Sequence, residues 1–262
     1  MESQSKRLVV ISDLHCGHRA GLTPPMYQYR ESDTPTRRKY GAVQEAMWNW
    51  YSKTAKSLGY VDILVVNGDA IEGKGERSGS TELLDADRSV QVDMAMECIN
   101  AFKAKKVYLV YGTALHTGKE EDWEKVLAEK LGTDIHSHVW FDVNGVVFDF
   151  KHKIGSSTIP HGRATATLRD KLWNSLWAER ELQPKANIII RSHVHYFGVA
   201  GDAMGLVFTT PALQGPGSKF GARECSGTVD VGLMVFDCDK GIPQWTTALF
   251  DMRPMAEKAI KI

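Results

Sequence analysis

A carboxylate and an imidazole stand close together at the end of the first apolar segment. The hydrophobic run over residues 7–12 leads into Asp13-Leu14-His15, where the acid and the histidine are two positions apart. Side chains alternate along an extended strand, so these two point to the same side if the strand continues. A lone Asp-x-His is often structural, because strands that reach the surface commonly end in polar residues. The pair therefore predicts half of a metal site, which other strand ends would complete.

The same ligand types recur after later apolar segments. We predict further buried strands at residues 61–67, 107–111, 146–150 and 187–191. The side chains that follow them are, in order, Asp69, His116, His152, and the pair His193 and His195. Loops at the strand ends of an α/β sheet build ligand sites, so these residues are expected to converge. Carboxylates with neutral imidazoles suit Mn, Fe or Zn, and the set is large enough for two ions.

Helices alternate with these strands and would hold them in place. Apolar spacing predicts helices at residues 36–58, 83–102, 120–131 and 163–182. Asn144-Gly145, between apolar runs at 139–143 and 146–150, predicts a hairpin. The alternation, followed by β-rich segments, indicates one α/β domain over residues 1–262 with two sheets covered by helices. We expect the tryptophans on the predicted helical faces to lie in the core; they are Trp48, Trp50, Trp173 and Trp177.

Composition and charge are those of a soluble globular protein, with 43% apolar and 24% charged residues. Lys plus Arg (32) equals Asp plus Glu (32), so no global field draws the chain to nucleic acid or an anionic membrane. Binding of a polyanion would therefore need a local patch of basic residues or a bound metal ion. No apolar run is long enough to span a bilayer and no signal-peptide core is present, so we expect a cytoplasmic protein. The spacing of the cysteines favours reduced thiols at Cys16, Cys98, Cys225 and Cys238.

The order of these motifs resembles that of the calcineurin-like metallophosphoesterase superfamily. The family pattern D-x-H, G-D, G-N-H-D/E, H and G-H-x-H is similar to segments between residues 8 and 197. The resemblance implies an αββα sandwich, in which two facing mixed β-sheets are flanked by helices. It also implies hydrolysis of a phosphate ester by a hydroxide that bridges two divalent ions, with Mn expected and Fe, Zn or Ni as alternatives. By the same resemblance, Asp69 would bridge the ions, Asp13, His15 and His195 would bind the first, and His152 and His193 the second.

The third motif departs from the family pattern. The chain has Gly112-Thr113-Ala114-Leu115-His116, so Thr113 takes the place of the Asn ligand and His116 lies farther along. A threonine hydroxyl is a weaker metal ligand than an amide oxygen. We expect His116 to act as the general acid, with a role as replacement ligand, or a plain surface position, as the alternatives.

Other histidines compete for roles in the same site. His161 is the rival of His152 for the second ion, and we prefer His152 because it ends a hairpin strand. His161 and Arg163 then become candidates for phosphate contact at a helix start. His18 is a candidate for lining the pocket. His136 and His138 stand at the start of a strand, and we expect both to be structural.

These motifs do not identify the substrate. Long loops at residues 17–38 and 211–221 could frame something larger than a phosphomonoester, which favours a phosphodiester or nucleotide. The alternatives are a phosphomonoesterase, a nuclease acting on DNA or RNA ends, and a metal-binding scaffold that has lost catalysis. We expect a phosphate-ester partner, including nucleotide or nucleic acid, and no membrane; the sequence does not indicate an oligomeric state.

Overall fold

Strands and helices alternate through the first two thirds of the chain. The computed structural model describes residues 5–30, 32–118, 120–157, 159–215, 228–239, 241, 243–253 and 259. In chain order its strands and helices are β1 (Lys6–Ile11), α1 (Pro35–Leu58), β2 (Tyr60–Asn67), α2 (Arg88–Asn100), β3 (Lys103–Val110), α3 (Ala114–Thr117), α4 (Trp123–Leu131), β4 (Ile135–His136), β5 (Val139–Val143), β6 (Val146–Phe150), α5 (Arg163–Glu179), β7 (Ile188–Arg191), β8 (Gly198–Asp202), β9 (Gly205–Thr209), β10 (Gly232–Cys238) and β11 (Gln244–Leu249).

The strands form two mixed sheets. One has six strands in the order β11-β10-β1-β2-β3-β4, and the other has five in the order β5-β6-β7-β9-β8. Strands β1 to β4 pair parallel with one another, as do β6, β7 and β9. The antiparallel pairs are β1 with β10, β10 with β11, β5 with β6, and β8 with β9. The predicted fold class, two mixed sheets flanked by helices, is confirmed. Parallel order brings the ends of β1, β2 and β3 to one sheet edge, and those of β6 and β7 to one edge of the other.

Alternating side chains of β1 separate two cores. Leu8 and Val10 pack in a cluster with Phe148 of the second sheet, so the two sheets face each other across this core. Val9 and Ile11 point the other way, into a cluster with the helices of the first sheet. All four β1 side chains are fully buried. This two-sided burial explains why the strand is an uninterrupted apolar run in the sequence.

Two predicted helices begin later in the structure than in the prediction, because capping residues determine where they start. Helix α2 begins at Arg88 rather than at residue 83, since the Asp87 side chain accepts a hydrogen bond from Ser89 N. Helix α4 begins at Trp123 because Asp122 caps it in the same way, through Lys125 N. Strand β3 begins earlier than predicted, and α5 ends earlier. The element types are as predicted in each case.

The tryptophans divide between the core and the surface. Trp48 and Trp50 of α1 are partly buried against the helix-side core, as expected. The prediction for Trp173 and Trp177 was wrong, since both are exposed on α5. That helix places a polar residue, Asn174, against the second sheet, where its side chain contacts Asp149 and Ala186 N, and its apolar stripe faces outward.

Other predictions concern thiols and unassigned segments. Cys16, Cys98 and Cys238 are buried free thiols, whereas Cys225 lies outside the described residues. Residues 216–221 of the loop predicted to frame the substrate also lie outside them. None of the helices in the described ranges combines the length and apolarity that crossing a membrane requires. That the chain is one domain stays a prediction.

Candidate metal centre

Five of the seven candidate ligands share a rare backbone conformation. Asp13, His15, Asp69, His193 and His195 have φ values of 51°, 45°, 51°, 74° and 56°. In the part of the chain that the structure describes, only three other non-glycine residues have positive φ. Each such residue costs about 1–3 kcal/mol, and it persists because neighbouring contacts fix it; His15 N, for example, donates to Asp69 O at 3.0 Å. Residues in this conformation concentrate at functional sites, so their gathering here indicates one.

The first group consists of Asp13, His15 and His195, whose donor atoms all lie within 4.8 Å of one another. His195 Nε2 lies 3.1 Å from Asp13 Oδ1 and 3.2 Å from His15 Nε2. His15 Nδ1 lies 2.8 Å from Glu72 Oε2, and a carboxylate there favours the tautomer whose lone pair is on Nε2. Asp13 Oδ1 is buried and accepts no hydrogen bond. Unpaired acceptor atoms thus converge, which is the arrangement that a divalent cation fits.

The second group consists of Asp69, His152 and His193, again with donor atoms within 4.8 Å. His152 Nε2 is 3.0 Å from Asp69 Oδ2, and His193 Nδ1 is 4.0 Å from the same oxygen. His152 Nδ1 donates to Asn67 O at 2.7 Å, because a carbonyl can only accept. A neutral His152 therefore turns a lone pair on Nε2 toward the group, so these residues also fit a metal ion.

Asp69, a member of the second group, also lies close to His15 of the first group. It forms a third set of possible ligands with His15 and His116, and His116 Nε2 is 3.9 Å from its Oδ2. His152 Nε2 is also 3.9 Å from Asp13 Oδ1, so the two groups are adjacent. A carboxylate between two neighbouring ligand sets has the position that a bridging ligand requires.

The third motif contacts Asp69 directly. Thr113 N donates to Asp69 Oδ1 at 2.6 Å, and the Thr113 hydroxyl lies 3.3 and 3.5 Å from the two carboxylate oxygens. A Cβ at Gly112 would lie 2.1 Å from Asp69 Oδ1, and one at Gly68 would lie 2.3 Å from His152 Nδ1. Both glycines are thus required by close approach of the backbone to site residues. Metal ligation by the Thr113 hydroxyl stays a prediction.

His116 points its imidazole into the site from α3. Its Nδ1 donates to Glu72 O at 2.8 Å, which leaves Nε2 on the side of Asp69. Burial lowers the pKa of His116, but Asp69 and Glu72 outweigh burial and raise it overall. Both predicted roles, acid and replacement ligand, are compatible with this placement.

Electrostatics keeps the carboxylates of both groups anionic and acts oppositely on two of the imidazoles. Burial opposes ionisation of Asp13, yet the neighbouring imidazoles lower its pKa to about 2. The pKa of Asp69 is also well below its usual range, for the same reason. Burial and then the charge of His116 lower the pKa of His15 to about 4, so His15 is neutral near pH 7. His152 is the opposite case, because despite burial the two carboxylates raise its pKa to about 10.

Two buried glutamates complete the site, and the sequence did not single them out. Glu72 lies behind His15, and Glu124 of α4 accepts hydrogen bonds from Ala70 N at 2.8 Å and Gly112 N at 2.7 Å. Glu124 thereby ties together the loops that carry Asp69 and Thr113, and burial followed by the charge of Asp69 raises its pKa to about 7. In the sequence, Glu72 belongs to a Gly- and Glu-rich loop and Glu124 to an acidic first helical turn. Neither signal separates them from solvated glutamates.

The predicted substrate-binding residues lie at the margin. His161 is exposed on a 3-10 turn (Pro160–Gly162) and belongs to none of the ligand groups found among the described residues. Arg163 donates to Thr228 Oγ1 at 3.0 Å, and its guanidinium lies 4.2 Å from the ring centroid of Tyr196. Tyr196 follows His195 directly, so Arg163 stands beside the ligand loop. Phosphate contact by either residue stays a prediction.

The other histidines have local partners. His18 is buried; its Nδ1 accepts from Ala20 N at 3.0 Å, and its Nε2 is 3.7 Å from Glu82. These are the contacts of a structural side chain, and its predicted place in the pocket stays a prediction. His138 Nε2 lies 2.8 Å from Asp149 Oδ1, and His136 lies in β4.

No family model and no curated protein matches the chain. It is similar to the solved structure of a single mutant of Vps29 from Entamoeba histolytica, with 12% identity over 94% of this chain and 99% of that one, and a TM-score of 0.45. A conserved uncharacterized protein from Streptococcus pneumoniae, described as a predicted phosphoesterase, is 12% identical over 94% and 91% of the two chains (TM-score 0.43). An archaeal phosphodiesterase is 11% identical over 92% and 99% (TM-score 0.44). At these values, the function has to be inferred from the chain's own residues.

Proposed function

We propose that the chain is a calcineurin-like metallophosphoesterase that binds two divalent ions, with manganese as the expected metal. The observation that carries the proposal is the pair of adjacent ligand groups with Asp69 between them. Two such ions would neutralise charge on a phosphate ester, acidify a water molecule for attack and hold the reacting groups in line.

The chain's own residues would bind and orient these ions. In this proposal Asp13, His15 and His195 hold one ion, His152 and His193 hold the other, and Asp69 is shared. Hydrogen bonds to the far ring nitrogens of His15 and His152 fix the ring orientations, as outer partners of metal-binding histidines commonly do. The base of the site is shielded from bulk solvent, since Asp13 and Asp69 are fully or almost fully buried.

His116 is proposed to protonate the leaving oxygen. Its Nδ1 proton is committed to Glu72 O, so Nε2 is the atom that can deliver a proton toward the site. In the metal-free protein Asp69 and Glu72 raise the pKa of His116, which favours the protonated form that an acid needs. Thr113 is proposed to position Asp69 through its two hydrogen bonds.

A phosphodiester or nucleotide is the proposed substrate. A cavity of about 220 Å³ adjoins His116, and its lining includes Gly73, Lys74 and Arg88. Such a cavity beside the proposed acid gives room for a leaving group larger than water or methanol. Its lining carries both signs of charge, since Glu76, Glu120 and Glu121 line it as well and Arg88 Nε lies 3.3 Å from Glu121 Oε2, so the cavity supports the proposal by its room and not by its charge. The leaving group of a small phosphomonoester would not fill this cavity.

The test compares good and poor leaving groups. We expect Mn-dependent hydrolysis of bis-p-nitrophenyl phosphate and of a dinucleotide by the wild type. His116→Ala should lower kcat on the dinucleotide by about 10²–10⁴-fold, because its alkoxide needs a proton. The same variant should lower kcat far less on the nitrophenyl ester, whose leaving group needs none, and should keep its metal content. His136→Ala, a histidine of β4 outside the ligand groups, is the matched control.

Other outcomes of these assays would assign different roles to His116, to the site or to the whole chain. Loss of metal from His116→Ala would make this residue a ligand instead of an acid. Asp69→Asn should lose both metal and activity, and full retention of both would show that the site is misassigned. A wild type that binds two ions yet hydrolyses no phosphate ester would be the metal-binding scaffold.

A further inference from the structure

Helix α5 has its polar and apolar sides reversed relative to the sheet on which it packs. Thr167 and Asn174, on its inner side, are buried, and Asp170 accepts from Arg191 Nε of β7 at 2.7 Å. Its outer side carries large apolar residues that are between 42% and 58% exposed; they are Leu168, Leu172, Trp173, Leu176 and Trp177. Surface helices of globular proteins normally bury such a stripe. The outer stripe, which we call the α5 face, therefore lacks a partner within the described residues.

The α5 face is large enough to be the centre of a protein interface. With Leu182 beyond the helix end, 66% exposed, these side chains present roughly 600 Å² of apolar surface, taking about 150–250 Å² for each whole side chain. That equals the upper end of about 300–600 Å² for the largest patch on a monomer. A stable interface buries about 800 Å² on each partner, which this face and a modest rim would supply.

Charges on the α5 face are self-complementary. Leu172 and Leu176 lie one turn apart, and exposed Arg169 and Glu179 are equally far along the helix on either side of their midpoint. If a second copy packs antiparallel about a two-fold axis at that midpoint, Leu172 meets Leu176 of the other copy. Arg169 then meets Glu179, and the same contact occurs twice. An isologous interface requires this kind of internal pairing.

We propose that a second copy of this chain covers the α5 face, forming a two-fold dimer with antiparallel α5 helices. A membrane surface fits the face less well, because interfacial helices are rich in basic residues. Here exposed Arg169 and Arg180 are balanced by exposed Glu179 and Glu181. The dimer leaves the candidate metal centre unchanged, so the proposal stands independently of the proposed function.

Sedimentation velocity on the full chain tests the proposal. At about 100 µM, above the micromolar range expected for a modest interface, the particle should have twice the 29.2 kDa mass of the chain. Leu172→Glu combined with Leu176→Glu should raise the dissociation constant at least about 100-fold, since charges would enter the centre of the interface. Met26→Glu is the matched control. This residue is 74% exposed and adjoins Tyr27, which packs on the helix-side core of the first sheet.

Charge reversal tests the antiparallel register. Arg169→Glu and Glu179→Arg should each weaken the dimer about tenfold or more, because each places like charges opposite one another. The doubly reversed variant should recover most of the lost affinity. A monomeric wild type overturns the proposal, whether or not it binds liposomes, and so does a dimer that the double leucine substitution leaves intact. A doubly reversed variant weaker than both single variants overturns the antiparallel register.

Discussion

Glu72→Gln separates the charge behind His15 from the hydrogen bond that it makes. Glu72 is 7% exposed, and its Oε2 lies 2.8 Å from His15 Nδ1. Burial opposes its ionisation, but the hydrogen bond from His15 lowers the pKa of Glu72, so it is charged at neutral pH. Glutamine keeps the size and an acceptor oxygen and removes only the charge. If His15 binds a metal through Nε2, that charge makes the imidazole a better ligand.

The expected loss can be worked out as a thermal shift. Substituting such outer partners weakens metal binding about 10- to 100-fold, or about 1.4–2.7 kcal/mol. Manganese at about 100 times the wild-type Kd stabilises the folded protein by about 2.7 kcal/mol. A 30-fold weaker site would gain only about 0.9 kcal/mol from the same manganese. The difference of about 1.8 kcal/mol corresponds to a Tm rise about 4–7 °C smaller than that of the wild type.

The assay is thermal unfolding with and without manganese. Each variant is compared with its own chelated form, which removes any effect of Glu72→Gln on the metal-free protein. Glu129→Gln, at an exposed position on α4, should keep the full manganese-dependent rise. Equal rises for Glu72→Gln and the wild type would refute the role assigned to Glu72 and weaken the case for His15 as a ligand.

Two further substitutions test the close approach in the site and the buried charges beside it. Gly112→Ala should weaken metal binding at least about tenfold and also destabilise the fold, because its Cβ would lie 2.1 Å from Asp69 Oδ1 and 2.3 Å from Asp69 N; in a metal titration, Gly155→Ala, whose Cβ would lie 3.2 Å from the end of the Arg169 side chain and 3.8 Å from Ala166 Cβ, should behave as wild type. Asp149→Asn should destabilise the protein by about 3–5 kcal/mol, since Arg191 is buried against it at 2.7 Å, whereas Asp237→Asn at a part-exposed ion pair should cost about 1 kcal/mol or less. Burial opposes ionisation of Asp149, but hydrogen bonds and positive charge lower its pKa. Its contribution to stability is thus complete above about pH 4 and is lost as pH falls further, so denaturant unfolding of Asp149→Asn and wild type should converge in acid.

The sequence predicted the strands and their end residues because both depend on local signals. A run such as that of β1, buried on both sides, stands out as apolar, and a polar residue at its end marks the sheet edge. Parallel pairing then brings edges together whatever the sequence distance. Asp13 and His195 follow strands of different sheets, so their assignment to one ligand set came from the family resemblance, and it is the facing of the two sheets that brings them within 3.1 Å.

The features that sequence reasoning missed depend on packing between distant segments. Glu124 resembles any acid in a first helical turn, and only the fold shows that two backbone amides of other loops approach it. The orientation of the apolar stripe on α5 could not be predicted either, because a period of 3.6 residues identifies an apolar side of a helix without showing whether that side faces the core or solvent. Trp173 and Trp177 were correctly placed on a helix, and the side that carries them turned out to face solvent.

Backbone strain connects the fold to the proposed chemistry. Aspartate and histidine adopt a left-handed conformation more readily than most non-glycine residues, yet the conformation is still destabilising at each of Asp13, His15, Asp69, His193 and His195. The strained residues gather side chains from both sheets in one small volume, where the buried Asp13 Oδ1 accepts no hydrogen bond. A bound cation would offset the cost by pairing the acceptors, which is why the strained geometry supports a metal centre more strongly than the residue types alone.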